Sequence, residues 1–379
     1  MEKIIQTLDI QQRCKGAFDG SRLIKEPARE FFEDFSVAWA HSPLLEDKEY
    51  KYLFVAAAGT SLVKFSTNPE KYQGCQEKIN AQRRAALAAK IDIEGSCLFD
   101  VVPEHQLLGW LTERHRAMRN LQKLLIDEDK SYEILHKAHV LASNIARQDI
   151  IFKGKKERVI YNIFGSSTGR FTTEKRSVPI LTLKKEQRYL LEPQNDAFVE
   201  IDLNAAEIRM LLALCGQEQP KKDIHEWVSE NVFSGEYSRE ETKIKVFSWL
   251  YNISAPKSRL DEIFSRQIFR DFYCPEEEVL TTPFGRDLQV EERKAQNYLL
   301  QSTTSDQVVE NAYKIQKMLK DRKTTIAFTL HDSIVLDMSK EDVIMLRDIK
   351  EQFEQTRWGN FISTCKIGKN FGNLKEMKI

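Results

Sequence analysis

The sequence has no long apolar run and no pattern of paired cysteines. No stretch approaches the roughly 20 apolar residues that a membrane-spanning helix needs. Residues 1–16 contain no apolar segment of the kind that a secretion signal carries. The six cysteines are scattered, without a C-x-x-C pair or a histidine at zinc-binding spacing. We therefore expect a cytoplasmic protein with reduced thiols.

Net charge is also absent, because 57 Lys and Arg residues balance 57 Asp and Glu residues. A nucleic-acid-binding protein is usually basic, so the total charge does not indicate one. Residues 151–190 differ, since ten Lys or Arg residues stand there against three Glu residues. This basic strip predicts a surface that faces phosphate groups, with a solvated loop as the alternative. Its members are Lys153, Lys155, Lys156, Arg158, Arg170, Lys175, Arg176, Lys184, Lys185 and Arg188.

The length of 379 residues predicts two or three domains, and the composition is that of an ordinary globular protein. No internal repeat or low-complexity tract occurs. Residues 1–150 read as mainly helical after a strand-like stretch, Tyr50 to Phe65. Apolar residues recur at helical spacing over 105–148, which predicts a helical hairpin or two successive helices. Gly, Ser, Thr and basic residues follow, so we place a domain boundary near residue 150.

The clearest pattern in the second part is a strand, Ala197 to Leu203, that carries Asp202 near its end. A helix is predicted to follow, with Asn204 as its N-cap and Gly216 just after its C-terminus. Farther along, Ser238-Arg239-Glu240-Glu241 has the S-x-x-E form of a capping box and predicts a helix through about Tyr251.

Two β-rich runs near the C-terminus, 324–330 and 333–338, flank His331 and Asp332 and predict a tight strand-turn-strand. Asp202 and Asp332 can meet if their strands are neighbours in one sheet. Mg²⁺ is held in proteins by one or two carboxylates plus substrate phosphates, and two such ions serve nucleotidyl transfer. Taken singly, each aspartate is more simply a cap or turn residue, so the surrounding motifs decide between the two interpretations.

Six short motifs occur in the order and with the internal spacing that they have in family A DNA polymerases. They are Thr168-Gly169-Arg170 (T-G-R), Asp202-x₄-Glu207-x-Arg209 (motif A), Asp223-Ile224-His225, Arg239-x₃-Lys243-x₃-Phe247-x₃-Tyr251 (fingers helix), Arg293-x₃-Asn297-x₃-Gln301, and Leu330-His331-Asp332 (motif C). Residues 160–379 therefore resemble the family of DNA polymerase I and its phage relatives, in a compact form without an exonuclease domain.

The resemblance implies an α+β fold of the right-hand type, with an antiparallel palm sheet. It places a mainly helical N-terminal region and thumb in 1–150, palm with motif A in 151–216, fingers in 217–281, and palm with motif C in 282–379. The implied activity is template-directed DNA synthesis from dNTPs on primer-template DNA. Processivity or replisome proteins are the further partners that it implies, and the location is the host cytoplasm if the protein is phage-encoded.

The resemblance also assigns roles. Asp202 and Asp332 would be catalytic and, with Leu203, would hold two Mg²⁺ ions. The nucleotide-binding residues would be Glu207, His225, Arg239, Lys243, Phe247 and Tyr251. The DNA-binding residues would be Arg170, Arg293, Asn297, Gln301 and His331.

The four spaced residues of the fingers helix, Arg239, Lys243, Phe247 and Tyr251, form a stripe along one helix face that also makes physical sense without the family. Residues four apart share a helix face, and the helix from Arg239 to Tyr251 is about 18 Å long, the length of an extended triphosphate. Glu207, in the family, closes the space beside C2′ of the incoming sugar.

Some features depart from the family. Ser333 stands where motif C usually has Glu, and His-Asp-Ser is the form found in single-subunit RNA polymerases. Ser248 and Asn252 occupy positions that are usually glycine. A compact RNA polymerase and an inactive nucleic-acid-binding derivative therefore remain alternatives. Glu207 disfavours the RNA polymerase, and the presence of both Asp202 and Asp332 disfavours the inactive derivative.

Asp92-Ile93-Glu94 has the D-x-E form of an exonuclease, but we interpret it as surface sequence.

Overall fold

The computed structural model describes residues 2–7, 16–39, 41–45, 48–53, 69–91, 98–127, 129–175, 177–251 and 256–379. The chain divides into two compact units, residues 1–143 and 144–379. Asp92-Ile93-Glu94, Asn252, Arg176 and most of the Tyr50 to Phe65 stretch lie outside the described residues. Among the helices that are described, none is long and apolar enough to cross a membrane.

The first unit begins with a five-stranded sheet in the order β3-β2-β1-β4-β5. The central strand β1 is buried throughout; it pairs antiparallel with β2 and parallel with β4. The sequence did not predict this sheet, which lies mostly before the Tyr50 to Phe65 stretch, after which helices were expected. The strands are β1 (Ile4–Thr7), β2 (Gly16–Phe18), β3 (Leu23–Lys25), β4 (Val37–Ala38) and β5 (Lys51–Tyr52).

Helices make up most of the described part of the first unit after β5. Two successive helices cover the 105–148 segment, as the helical spacing predicted, and a short π-helical turn at Lys123–Asp127 follows the first of them. Leu107 and Leu111 pack against Phe18 of β2 and Leu98, so the helices cover the sheet. The helices are α1 (Pro69–Ala88), α2 (Leu98–Val101), α3 (Glu104–Gln122) and α4 (Tyr132–Ile145).

The second unit is built around a five-stranded antiparallel sheet in the order β15-β16-β11-β19-β20. The middle strand β11 is mostly buried, which its apolar run explains. The strands are β11 (Ala197–Leu203), β15 (Thr325–Leu330), β16 (Ser333–Met338), β19 (Ser363–Gly368) and β20 (Lys375–Met377).

Helices pack beside this sheet, and the unit also contains small sheets of two or three strands. The long helix α8 contacts α5, α9 and β15. This mixture of helices with largely antiparallel sheets confirms the α+β class. The helices are α5 (Ala206–Leu214), α6 (Ile224–Asn231), α7 (Arg239–Tyr251), α8 (Glu292–Met318) and α9 (Leu346–Glu354). The remaining strands are β6 (Asp149–Phe152), β7 (Lys155–Arg158), β8 (Tyr161–Asn162), β9 (Thr172–Thr173), β10 (Leu191–Glu192), β12 (Tyr273–Cys274), β13 (Val279–Thr281), β14 (Asp287–Gln289), β17 (Gln355–Thr356) and β18 (Gly359–Asn360).

The predicted helix ends are right in two places and wrong in one. Ser238 and Glu241 form the predicted capping box, with the Ser238 N–H donating to the Glu241 carboxylate over 2.9 Å. Gly216 follows α5 with φ +71°, as a C-terminal glycine should. Asn204 is not the N-cap of α5, because Ala205 occupies that position in a left-handed conformation, with φ +47°.

Candidate active site

The two predicted aspartates lie together at one end of the central sheet. Asp202, on β11, is paired in register with Ser333, the residue directly after Asp332. The N–H of Leu203 donates to the carbonyl of Asp332 over 3.2 Å. Leu330 and Ser333 pair across the β15-β16 turn, and His331 in that turn has φ +43°. The tight turn therefore brings the Asp332 carboxylate next to that of Asp202.

At this end of the sheet, burial and mutual repulsion disfavour the ionised forms of Asp202 and Asp332. Burial, followed by the negative charge of Asp332, raises the pKa of Asp202 to about 7. Burial also raises the pKa of Asp332. A divalent cation bound between the two carboxylates would relieve both penalties, so the donor set fits Mg²⁺. Within the described part of the chain, no cluster of three or more His, Cys, Asp or Glu side chains is arranged for a metal. Any ion here would depend on two carboxylates, backbone oxygen and substrate.

Glu207 joins three elements next to the aspartates. It lies in the first turn of α5, and its carboxylate is bound at both oxygens. Tyr251, the last residue of α7, donates its hydroxyl to Oε2 over 2.6 Å. Arg170 of the T-G-R segment donates to Oε1. Burial of the phenol, followed by its hydrogen bond to the Glu207 carboxylate, raises the pKa of Tyr251.

The predicted nucleotide-binding stripe lies along one face of α7. The rings of Phe247 and Tyr251 are stacked, with 5.8 Å between their centroids. His225 is buried, 6.2 Å from the Phe247 ring, and its Nδ1 has no hydrogen-bond partner among the described residues. Burial lowers its pKa. Lys243 is exposed on the same face. The aromatic end of the stripe is therefore the end that reaches Glu207.

Arg239, at the other end of this stripe, is held by the residue that caps α6. Its guanidinium donates to Asp223 Oδ2 over 2.9 Å. The second oxygen of Asp223 accepts the backbone N–H groups of His225 and Glu226, and Asn204 donates to Oδ2. Burial alone would raise the pKa of Asp223, but these hydrogen bonds outweigh it and hold the pKa at about 2. Asp223 thus fixes Arg239 at the N-terminal end of α7.

The residues predicted to bind DNA are spread over α8, the hairpin turn and the T-G-R segment. Arg293, in the first turn of α8, is exposed and donates to Glu291 over 2.5 Å. Asn297 and Gln301 follow on the same helix and are half-buried. Arg170 and His331 line one small cavity, so these two motifs are neighbours, but Arg170 is turned toward Glu207.

Three buried polar residues shape the site, and the sequence assigned no role to them. Arg209 is fully buried and donates to the carbonyls of Asn204, Pro220 and Lys222 over 2.7–3.0 Å. It therefore holds the segment that leads into Asp223. Arg286 and Asp306 form a buried ion pair. Arg209 belongs to motif A, but the motif does not reveal that its arginine points inward.

No family model matches the sequence, and no curated protein matches it either. Among solved structures, the chain is similar to the POL domain of Pol1 from M. smegmatis, determined in complex with DNA primer-template and dNTP. The two are 16% identical with a TM-score of 0.48, and the match covers 71% of this chain and 54% of that chain. This chain therefore spans about half the length of that neighbour.

Proposed function

We propose that this protein is a template-directed DNA polymerase that transfers dNMP from a dNTP to a primer 3′-hydroxyl. One observation carries the proposal: the hydrogen bond from Tyr251 to Glu207 joins the basic and aromatic stripe of α7 to the sheet end that holds Asp202 and Asp332. Phosphate-binding cations, a base platform and two carboxylates thus belong to one site, which is what nucleotidyl transfer needs.

Each residue of the site has a task that its chemistry suits. Asp202 and Asp332 would hold Mg²⁺, with the Leu203 carbonyl as a further oxygen donor. Mg²⁺ bound there would activate the 3′-hydroxyl and stabilise the leaving pyrophosphate. Arg239 offers a planar guanidinium to the triphosphate and Lys243 a point charge. His225 stands next to Phe247, and its Nδ1, which has no partner within the described part of the chain, is a further group for the triphosphate.

The sugar and the base would meet the other end of the stripe. Phe247 and Tyr251 present stacked rings to the base, and Glu207 closes the space beside C2′. A carboxylate there rejects a ribose hydroxyl by a clash, which favours dNTPs without a better contact to them. Primer-template would lie against Arg293, Asn297, Gln301, His331 and the exposed lysines of the basic strip.

The right-hand arrangement belongs to the same proposal. Residues 151–216 and 282–379 would form the palm, 217–281 the fingers, and 1–150 the thumb and an N-terminal region. We further propose that the protein has no proofreading exonuclease, so that a mismatched 3′ end persists when nucleotides are withheld.

A primer-extension assay tests the function directly. We expect Asp332→Asn to abolish extension, because it removes one of the two metal-holding carboxylates, while primer-template affinity should stay nearly that of the wild type. Asp196→Asn is the matched control, since Asp196 lies just before the other end of β11 and contacts Lys340 instead. Near wild-type extension by Asp332→Asn would contradict the proposal. Extension by the wild type with rNTPs as efficient as with dNTPs would favour the RNA-polymerase alternative.

A further inference from the structure

The arginine of the T-G-R segment contacts the protein itself. Arg170 donates an N–H of its guanidinium to Glu207 Oε1, while Tyr251 donates to Oε2 over 2.6 Å. Both side chains of the ion pair are largely covered, with 28% of Arg170 and 19% of Glu207 exposed. The Glu207 carboxylate is therefore held from two sides, by a cation and by a phenol.

The segment that carries Arg170 rests on a rigid support. Gly169 has φ +75°, and a Cβ at this position would lie 2.9 Å from Cζ of Arg286. Arg286 is itself buried and donates Nε–H to both oxygens of Asp306, over 2.9 and 2.8 Å. Glycine is thus required by conformation and by space, and the buried pair behind it fixes the backbone of the neighbouring Arg170.

We propose that Arg170 is a positioning residue that sets the selectivity of the site for the sugar, by holding the Glu207 carboxylate where it blocks a 2′-hydroxyl. This inference rests on the proposed function. A carboxylate bound only by Tyr251 can turn about its side-chain torsions and leave space for the extra oxygen. Bound also by Arg170, it stays in one orientation. The guanidinium has five N–H donors, so holding Glu207 leaves others free to face a primer end.

The test is a double-mutant cycle on the ratio of kcat/KM for dNTP to that for rNTP. Arg170→Ala should lower this ratio roughly tenfold, the factor that corresponds to removal of one charge-assisted hydrogen bond. The same substitution made in a Glu207→Ala background should leave the ratio unchanged, because there is no carboxylate left to position. Arg170→Lys keeps a donor cation and should restore most of the ratio. A structural role alone would not produce this pattern.

Arg293→Ala serves as the comparison for a residue that only contacts DNA. It should weaken binding of primer-template and leave the dNTP/rNTP ratio unchanged. The inference is overturned if Arg170→Ala behaves in the same way, or if it lowers the ratio by the same factor in both backgrounds. A wild-type protein that fails to extend a primer overturns the proposed function itself. A wild type that extends and discriminates, with an unaffected Arg170→Ala variant, overturns only the role of Arg170.

Discussion

At the scale of single residues, we expect the ionised carboxylates of Asp202 and Asp332 to destabilise the folded state when no cation is bound. For a carboxyl whose pKa is raised to about 7 in the fold from 3.8, the folded state loses stability as pH rises through this interval. We therefore predict that Asp202→Asn raises the melting temperature in metal-free buffer at pH 8. The free energy of unfolding at that pH should rise by about 1–2 kcal/mol, since solvent screens the charge of a half-buried group. This difference between variant and wild type should vanish below about pH 4, where Asp202 is neutral in both the folded and the unfolded state.

Asp196 is the matched control for this measurement. It lies just before the other end of β11, and its carboxylate accepts the backbone N–H of Lys340 over 2.8 Å. This hydrogen bond lowers the pKa of Asp196, the opposite direction from Asp202, so Asp196→Asn should lower the melting temperature slightly at pH 8. Adding Mg²⁺ should raise the melting temperature of the wild type and leave that of Asp202→Asn nearly unchanged. A stabilising effect of Mg²⁺ that is equal in both proteins would argue against ion binding at Asp202.

The sequence is informative about Asp202 and Asp332 because each ends or interrupts a strongly patterned β run. It is uninformative about contacts between side chains far apart in the chain. Arg170 and Glu207 are 37 positions apart, and nothing in the T-G-R motif distinguishes an arginine that faces DNA from one that faces a carboxylate. The orientation is decided by packing, here by Arg286 behind Gly169.

At the scale of elements, α7 carries the nucleotide-binding stripe and depends on its cap. The Ser238 hydroxyl and the Glu241 carboxylate satisfy backbone groups that the first turn leaves without partners. We predict that Ser238→Ala destabilises the protein by about 1 kcal/mol and speeds amide hydrogen exchange in the first turn of α7. Ser248→Ala, at an exposed position of the same helix, is the control and should change stability by less than about 0.5 kcal/mol. Equal effects of the two substitutions would show that the capping box does not stabilise α7.

The elements themselves were predictable where their patterns are long. β11 has seven residues and the two strands of the Asp332 hairpin have six each, long enough to show an apolar pattern. The sheet of the first unit was missed because its strands have two to four residues, too few for a period to appear. The start of α5 was misplaced because Ala205 adopts a left-handed conformation that its residue type does not signal.

At the scale of the whole molecule, the zero net charge conceals an uneven distribution. The side chains of β7 are all exposed, and this strand carries Lys155 and Lys156. Lys184 and Lys185 are exposed as well, at the start of a short helical turn that leads into β10. Strands β10, β6 and β7 form one small sheet. Local charge of this kind attracts a polyanion even when the total charge is zero, because salt screens charges farther away than about 10 Å.

Primer-template binding should therefore depend on salt through this basic strip. The variant replaces four exposed lysines with glutamine: Lys155, Lys156, Lys184 and Lys185. Removing a lysine that neutralises one phosphate should reduce the slope of log K against log salt by about 0.9, so the variant should bind more weakly and with a shallower slope. Its melting temperature should stay that of the wild type, because exposed lysines contribute little to stability. The control replaces four exposed basic residues elsewhere in the second unit: Lys320, Arg322, Lys375 and Lys378. If both variants flatten the slope equally, binding follows total charge; if only the first does, the strip is the surface that meets the nucleic-acid backbone.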